Sequence, residues 1–311
     1  MKWAMRGAAA SVLAAMTMLA GSVIAQDRTT LASEREKFSY AVGMDFGGRI
    51  KPVVPFMDMA AFEAALKQAF AGGQAPLTES EARAVDETLR ANLAAADGQP
   101  LPGQPPGSAP AAVDKAKVGQ LMGFFVVGQP LGQFKEQVDT GVLAQAVRQT
   151  AAGSTLMTPQ QAQEVLTSTL QKLQAQQGQR NREEGNAFLA SNKAVKGVIS
   201  TPSGLQYMVL RAGNGARPTP SSRVRVNYEG KLLNGKVFDS SYARGEPAEF
   251  GLNQVIPGWT EGVSLMPTGS KYRFWIPSDL AYGPAGSQNG PVAIGPDSTL
   301  VFDVELMGIV Q

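Results

Sequence analysis

The chain has 311 residues, 43% of them hydrophobic, with 28 Lys plus Arg against 26 Asp plus Glu and neither His nor Cys. That length favours two domains or more, and a net charge of +2 offers no electrostatic handle for nucleic acid or for an anionic membrane surface. Without imidazole or thiol there can be no Ser-His-Asp triad, no Cys nucleophile, no disulfide and no zinc site built on those ligands. Carboxylates, Tyr hydroxyls, backbone donors and shaped apolar surface remain, which suit binding, carboxylate-based hydrolysis or conformational catalysis and call for no cofactor.

Lys2 and Arg6 precede an apolar stretch from Gly7 to Ile24, and Val23-Ile24-Ala25 sets modest residues before Gln26. This predicts a secretory signal peptide over residues 1–25, a mature chain beginning at Gln26, no stable membrane anchor and a periplasmic location in a bacterium, with outer-membrane association or secretion left open.

Two segments then resemble each other at a spacing near 80 residues. Phe38, Gly43, Phe62, Ala65, Gly73 and Thr78-Glu79-Ser80-Glu81 are answered by Val118, Gly123, Val142, Ala146, Gly153 and Thr158-Pro159-Gln160-Gln161. Each reads as helix, helix, Gly turn and capped helix, the last opening on a hydroxyl residue with Glu or Gln three positions on. We place copy 1 at 26–95, a Pro/Gly-rich linker at 96–113 that cannot form a packed element, and copy 2 at 114–158. A long connecting helix follows at 159–197. Val165, Leu166, Leu170 and Leu173 share one face of it, and a polar run from Gln174 to Gly185 comes next. It reads as a stalk of roughly 55 Å, with Gly178 and Gly185, each about 1 kcal/mol worse than Ala in a helix, as places to bend or fray.

From about Thr201 the period changes to two. Val224, Val226 and Tyr228 alternate with Arg223, Arg225 and Asn227, and Leu300, Phe302, Val304 and Leu306 alternate with Val301, Asp303 and Glu305. Both are antiparallel strands with one apolar face, Lys271 to Ile276 is a third, and Gly and Pro clusters punctuate the rest.

Five ordered motifs lie on this texture: Val226-Asn227-Tyr228-Glu229-Gly230, Gly235 to Ser241, Val255-Ile256-Pro257-Gly258-Trp259-Thr260-Glu261-Gly262, Leu280-Ala281-Tyr282-Gly283 and Thr299 to Leu306. In order and spacing they resemble the FKBP-type peptidyl-prolyl cis/trans isomerases. Upstream, Phe38 to Gly43 and Val198 to Tyr207 resemble the secreted Mip and FkpA class of that family, from which this chain departs in carrying the helical module twice. The resemblance implies an α+β chain: an all-helical N-terminal domain with an internal repeat, the long helix, then over 198–311 a curved antiparallel sheet wrapped on a short helix from Pro257 to Met266.

It also implies a protein-folding enzyme acting on proline-containing peptides and on unfolded or folding exported proteins, with macrolide inhibitors as further ligands. The duplication leaves open a pseudo-dimeric monomer or a homodimer. Carried over residue by residue, Trp259 is the floor under the proline ring, and Tyr228, Phe238 and Phe302 are walls. Phe250 and Val255 complete the substrate site, with Ile294 and Ala293 in the loop wall. The Ile256 N–H and the Tyr282 hydroxyl hold substrate carbonyls, and Asp239 stands at the rim. Ala248 replaces an aromatic frequent in the family, and the loop from Ala285 to Pro296 is longer and carries no His.

A pocket of this kind suits the reaction. An X–Pro amide resists rotation by about 18–20 kcal/mol, although its cis and trans forms differ by only about 0.5–1 kcal/mol. No bond is made or broken, so a dry cup that binds the twisted amide better than either planar form suffices. Two other readings compete. Met44, Met57, Met59, Met122, Phe124 and Phe125 could offer unfolded clients an adaptable surface on a chaperone or peptide-binding module with little isomerase activity. Asp239 with Asp279 or Asp303 could form a hydrolytic carboxylate pair.

Overall fold

The computed structural model describes residues 27–100 and 108–310; the expected signal peptide and the middle of the Pro/Gly linker lie outside them. Two compact units divide the chain between Leu166 and Thr167.

In the first unit, capping side chains fix where the helices start. Helix α1 (Glu34–Arg49) opens on a capping box between Ser33 and Glu36, α2 (Met59–Phe70) on Asp58, and α3 (Glu79–Ala96) on the predicted box of Thr78 and Glu81. Helix α4 (Lys115–Gln120) is capped by Asp114 and runs into a π-helical stretch (Leu121–Gly128) and α5 (Gln129–Leu131). Helix α6 (Thr140–Ala152) is capped by Asp139 and stops at Gly153, whose φ of 75° admits little but glycine. Before α7 (Pro159–Asn192), the Thr158 hydroxyl accepts from the Gln161 N–H and the Gln161 amide oxygen accepts from the Thr158 N–H. The caps recur in order, Ser33 with Asp114, Asp58 with Asp139, Thr78 with Thr158, each at a spacing of 80 or 81 residues. Each satisfies backbone donors worth about 1 kcal/mol to the helix start.

The copies do not pack as separate bundles. Helix α1 lies along α6, and α2 lies along α4 and the π-helical stretch, so the first helix of each copy packs on the second helix of the other. Glycines bring the backbones together at matching points. A Cβ on Gly43 would fall 2.4 Å from the Leu143 carbonyl oxygen, and one on Gly123 2.2 Å from that of Phe62. Met44, Met57, Met122 and Phe124 are buried in these seams and Met59 and Phe125 are half-buried. The side chains proposed as a client surface are therefore largely core, because two sets of short amphipathic helices bury each other's apolar faces.

The second unit is built on a seven-stranded antiparallel sheet: β1 (Val198–Ser200), β2 (Gln206–Arg211), β3 (Arg223–Leu232), β4 (Val237–Ser240), β5 (Ala248–Gly251), β6 (Lys271–Ile276) and β7 (Leu300–Val310). The path is β1-β2-β6-β7-β3-β4, with β5 also on β3. Short helices α8 (Ser241–Arg244) and α9 (Pro257–Ser264) complete it. The predicted alternation holds: Val224, Val226, Leu300, Val304 and Leu306 are fully buried and share a core with Trp259 and Val263 of α9. The opposite face is charged and paired, Arg225 with Glu249 at 2.8 Å, Arg273 with Asp303 at 2.5 Å and Arg211 with Glu305 at 2.5 Å.

Helix α7 corrects the expectation of a stalk with weak points. It is unbroken through Gly178 and Gly185 to Asn192, and its later turns lie against the sheet unit. The buried Asn192 amide donates to Gln206 Oε1 at 2.8 Å, while Gln206 Nε2 donates to the Leu189 carbonyl at 2.8 Å. These bonds satisfy polar groups whose burial would otherwise be costly.

Candidate functional site

One edge of β3 is divided between two partners, which opens the site. Arg223 to Val226 pair with β5, and Glu229 to Lys231 pair with β4. Between them the chain leaves the ladder through α8. There the fully buried Ser241 hydroxyl takes the Tyr228 N–H at 2.9 Å and donates to Asn227 Oδ1 at 3.0 Å. This side-chain substitute for the missing strand holds Asp239 and Arg244 on either side of the excursion.

Beside it is a cleft of about 400 Å³ lined by Tyr228, Phe238, Asp239, Phe250, Gln254, Val255, Ile256, Trp259, Tyr282 and Phe302. Trp259 sits at its centre, presented by the first turn of α9 after Pro257. Tyr228, Phe302 and Phe250 stand nearly perpendicular to it at centroid distances of 5.2, 5.3 and 5.7 Å, and Phe238 stands edge-on to Phe302 at 5.5 Å. Edge-to-face rings of this kind attract one another by about 0.5–1.5 kcal/mol per pair beyond the area they bury. Room for the walls comes from Gly230, where a Cβ would lie 2.6 Å from the Phe302 ring and 2.7 Å from that of Phe238.

The rim is polar and tied together. The Tyr228 hydroxyl donates to Asp239, Arg244 pairs with the same carboxylate, and Arg244 Nη2 donates to the Tyr228 oxygen at 2.9 Å. The Arg244 guanidinium also lies 5.5 Å from the Tyr228 ring centroid. Burial, and then the hydrogen bond to Asp239, push the Tyr228 phenol up to about 12. The Tyr282 phenol is also raised, first by burial and then by the Asp239 charge. Both rings keep their protons at neutral pH.

Of the residues expected at the site, Asp239, Tyr282, Ile256, Phe302, Tyr228, Phe238, Phe250, Val255 and Trp259 converge on the cleft. Ile294 does not line it. Backbone hydrogen bonds between Ser287 and Ile294 in both directions turn that segment inward, and the Ile294 side chain packs in the sheet core. Arg244 and Gln254 went unnoticed in the sequence, and Gly230 stood in the first motif with no role assigned to it. Only Arg244 carried a usable signal, a cation five residues after Asp239 in the same turn.

The carboxylate-pair reading fails. Asp303 is held by Nε and Nη2 of Arg273 on the outer face, Asp279 lies 3.5 Å from Arg182, and neither lines the cleft. Among the described residues no three carboxylates gather as they would around a metal ion.

Comparison with known proteins agrees with this geometry. Residues 215–307 match the model of the FKBP-type peptidyl-prolyl cis-trans isomerase domain, and residues 35–100 and 115–209 match the model of the domain amino-terminal to it. The chain is 46% identical over 194 residues to a probable FKBP-type isomerase FkpA of Neisseria meningitidis, covering 59% of this chain and 70% of that protein. It is 41% identical over 197 residues to the outer membrane protein MIP of Legionella longbeachae, covering 60% and 83%, and 39% identical over 242 residues to FkpA of Aeromonas hydrophila, covering 72% and 87%. A glycine-relieved aromatic cleft on an antiparallel sheet, behind a helical region that matches the family's own amino-terminal domain, leaves one conclusion: the chain belongs to the FKBP-type peptidyl-prolyl cis-trans isomerases.

Proposed function

We propose that this isomerase turns X–Pro bonds in the cleft by non-covalent catalysis. The proline ring would enter against Trp259, walled by Tyr228, Phe238 and Phe302, with Phe250 and Val255 at its sides. The Ile256 N–H and the Tyr282 hydroxyl would hold substrate carbonyls. Asp239, fixed by Tyr228 and Arg244, would face the carbonyl of the rotating amide. As the amide twists it loses its planar dipole, so a site that solvates that dipole poorly favours the twisted form. Each 1.36 kcal/mol taken from the barrier is about tenfold in rate. The observation that carries this reading is the set of perpendicular rings around Trp259 with one oriented carboxylate at the rim. A protease-coupled assay on an Ala-X-Pro-Phe peptide tests it. Wild-type chain should accelerate isomerisation and Asp239→Ala should lose most of that acceleration; retained activity in Asp239→Ala would sink the assignment. A chaperone with little isomerase activity would leave the uncatalysed rate unchanged.

We also infer that the duplicated modules form an internal pseudo-dimer, so that one chain carries both helical copies and a single isomerase unit. The exchange of α1 and α4 between copies supports this, since each copy's apolar face is already occupied within the chain. Light scattering at micromolar concentration should give the mass of a monomer; twice that mass would overturn the inference. The basic start and apolar run ahead of Ala25 support export to the periplasm, where unfolded exported proteins would be the substrates. No helix among the described residues is long and apolar enough to cross a membrane. Macrolides that mimic the twisted amide would enter the same cleft.

A further inference from the structure

Gly178, Asn181, Arg182 and Gly185 stand at i, i+3, i+4 and i+7 of α7, so they share one face of the helix. That face meets the end of the loop between Tyr282 and β7. Gly178 and Gly185 leave room for it: a Cβ on Gly178 would fall 2.9 Å from Asp297 Oδ2, and one on Gly185 2.2 Å from Thr299 Oγ1. Between the glycines, Asn181 Nδ2 donates to the Pro296 carbonyl at 2.7 Å and to Ser298 Oγ at 3.2 Å. Arg182 Nη2 reaches Asp297 Oδ1 at 2.6 Å and Asp279 Oδ1 at 3.5 Å. Asp279 precedes Tyr282 by three residues and Asp297 closes the loop, so one guanidinium spans both stems of the segment that carries Tyr282. Asp297 is itself buried and has a φ of 52°, in the left-handed region that is uncommon for non-glycine residues though Asp enters it more readily than most. Its N–H donates to the Gly283 carbonyl at 2.8 Å, directly beside Tyr282.

We propose that Arg182 and Asn181 are positioning residues for the isomerase cleft, and that α7 sets where Tyr282 stands by clamping the two stems of its loop. The inference rests on the reading of the cleft given above, and it makes the connecting helix part of the isomerase. Both carboxylates meet the same nitrogen of Arg182, Nη2, at 2.6 Å for Asp297 and 3.5 Å for Asp279, so a lysine ammonium, a compact point charge, can replace part of that contact.

The test uses the full chain and the Ala-X-Pro-Phe assay. Arg182→Ala should lower kcat/KM about fivefold with the circular dichroism spectrum unchanged, and Arg182→Lys should recover part of the loss. Because Arg182 acts through Asp297, the double variant Arg182→Ala with Asp297→Asn should be no worse than the more impaired of the two single variants. Gly185→Ala, a better helix former, should nevertheless lower activity by displacing Thr299. In amide NMR spectra of Arg182→Ala, the signals of residues 283–297 should shift or broaden while those of β3 stay in place. Wild-type kcat/KM in either Arg182→Ala or Gly185→Ala would overturn the proposal, as would independent, multiplying losses in the Arg182 and Asp297 variants. Asp239→Ala separates the two readings: if it retains activity the cleft assignment itself falls, and if it loses activity while Arg182→Ala does not, only the clamp falls.

Discussion

The helical unit meets several packing requirements twice, and the sheet unit meets its own once. Gly43 against Leu143 is answered by Gly123 against Phe62, and the capping positions at the three main helix starts recur in the second copy. In the sheet unit nothing is repeated. Trp259 is at once a core residue and the floor of the cleft, and Gly230 makes room for Phe302 and Phe238 together. A duplicated contact has a counterpart that damage to one copy leaves in place. A shared ring cannot be altered without touching both the fold and the site.

The sharpest test of that division pairs two residues on the same face of β7. Phe302→Ala removes a wall of the cleft and a buried ring, and should cost about 3–5 kcal/mol of stability together with most of the activity. Leu306→Ala truncates a fully buried side chain outside the cleft. It should cost about 2–5 kcal/mol in denaturant unfolding yet leave kcat/KM of the folded protein unchanged. Equal losses of activity would mean that the cleft is no more than core.

A smaller effect is expected across the helical seams. Gly123→Ala places a methyl group against the Phe62 carbonyl, and Gly43→Ala does the same at Leu143, so each should cost about 1–3 kcal/mol as overpacking. Short-peptide activity should be unaffected in both, and calorimetry should show the loss in one unfolding transition while the other holds. Widely unequal costs would show that the two seams are not equivalent in energy.

The same contrast explains what could be read beforehand. Period-two alternation located β3 and β7 because one face of each strand is buried and the other wet, a difference that every residue reports. The repeat was visible because caps and glycines are local signals. Its exchange of helices was not, since Phe38 and Phe62 are apolar whichever copy they pack on. Gly178 and Gly185 were misread for a related reason: glycine in a helix has a known local cost, whereas its benefit depends on a loop more than a hundred residues away. Ile294 was assigned to the loop wall by resemblance, which cannot foretell which way a segment turns once Ser287 pairs with it. Arg244 escaped notice because a cation in a turn is ordinarily solvated.

Helix caps offer a finer comparison. Thr78→Ala and Thr158→Ala remove equivalent hydroxyls, and each should cost about 1 kcal/mol. Thermal unfolding of the two variants should show similar small shifts, and neither should change kcat/KM. A loss of activity in Thr158→Ala alone would show that the start of α7 is felt in the cleft.

The smallest expected effect is none at all, and it concerns one tyrosine from each unit. Tyr40 in the helical unit and Tyr228 in the cleft are both buried, and burial raises both phenols above the usual value near 10. Their partners differ. Tyr40 donates to the Gln149 amide and accepts from the Leu156 N–H, whereas Tyr228 joins a carboxylate and a guanidinium and is pushed up to about 12. A raised phenol favours the protonated, neutral form in the folded state, so its contribution to stability is intact below pH 10 and is lost as pH climbs from 10 to about 12. Nothing in that window touches neutral pH, and the chain has no His or Cys to titrate there. Activity should therefore be level from about pH 6 to 9, as conformational catalysis without proton transfer requires. A bell-shaped profile centred near neutrality would break the mechanism. Ultraviolet titration should show one phenolate fewer near pH 12 in Tyr228→Phe than in wild type, and a difference appearing near 10 instead would mean that the ring is not held in the dry, hydrogen-bonded state on which the cleft depends.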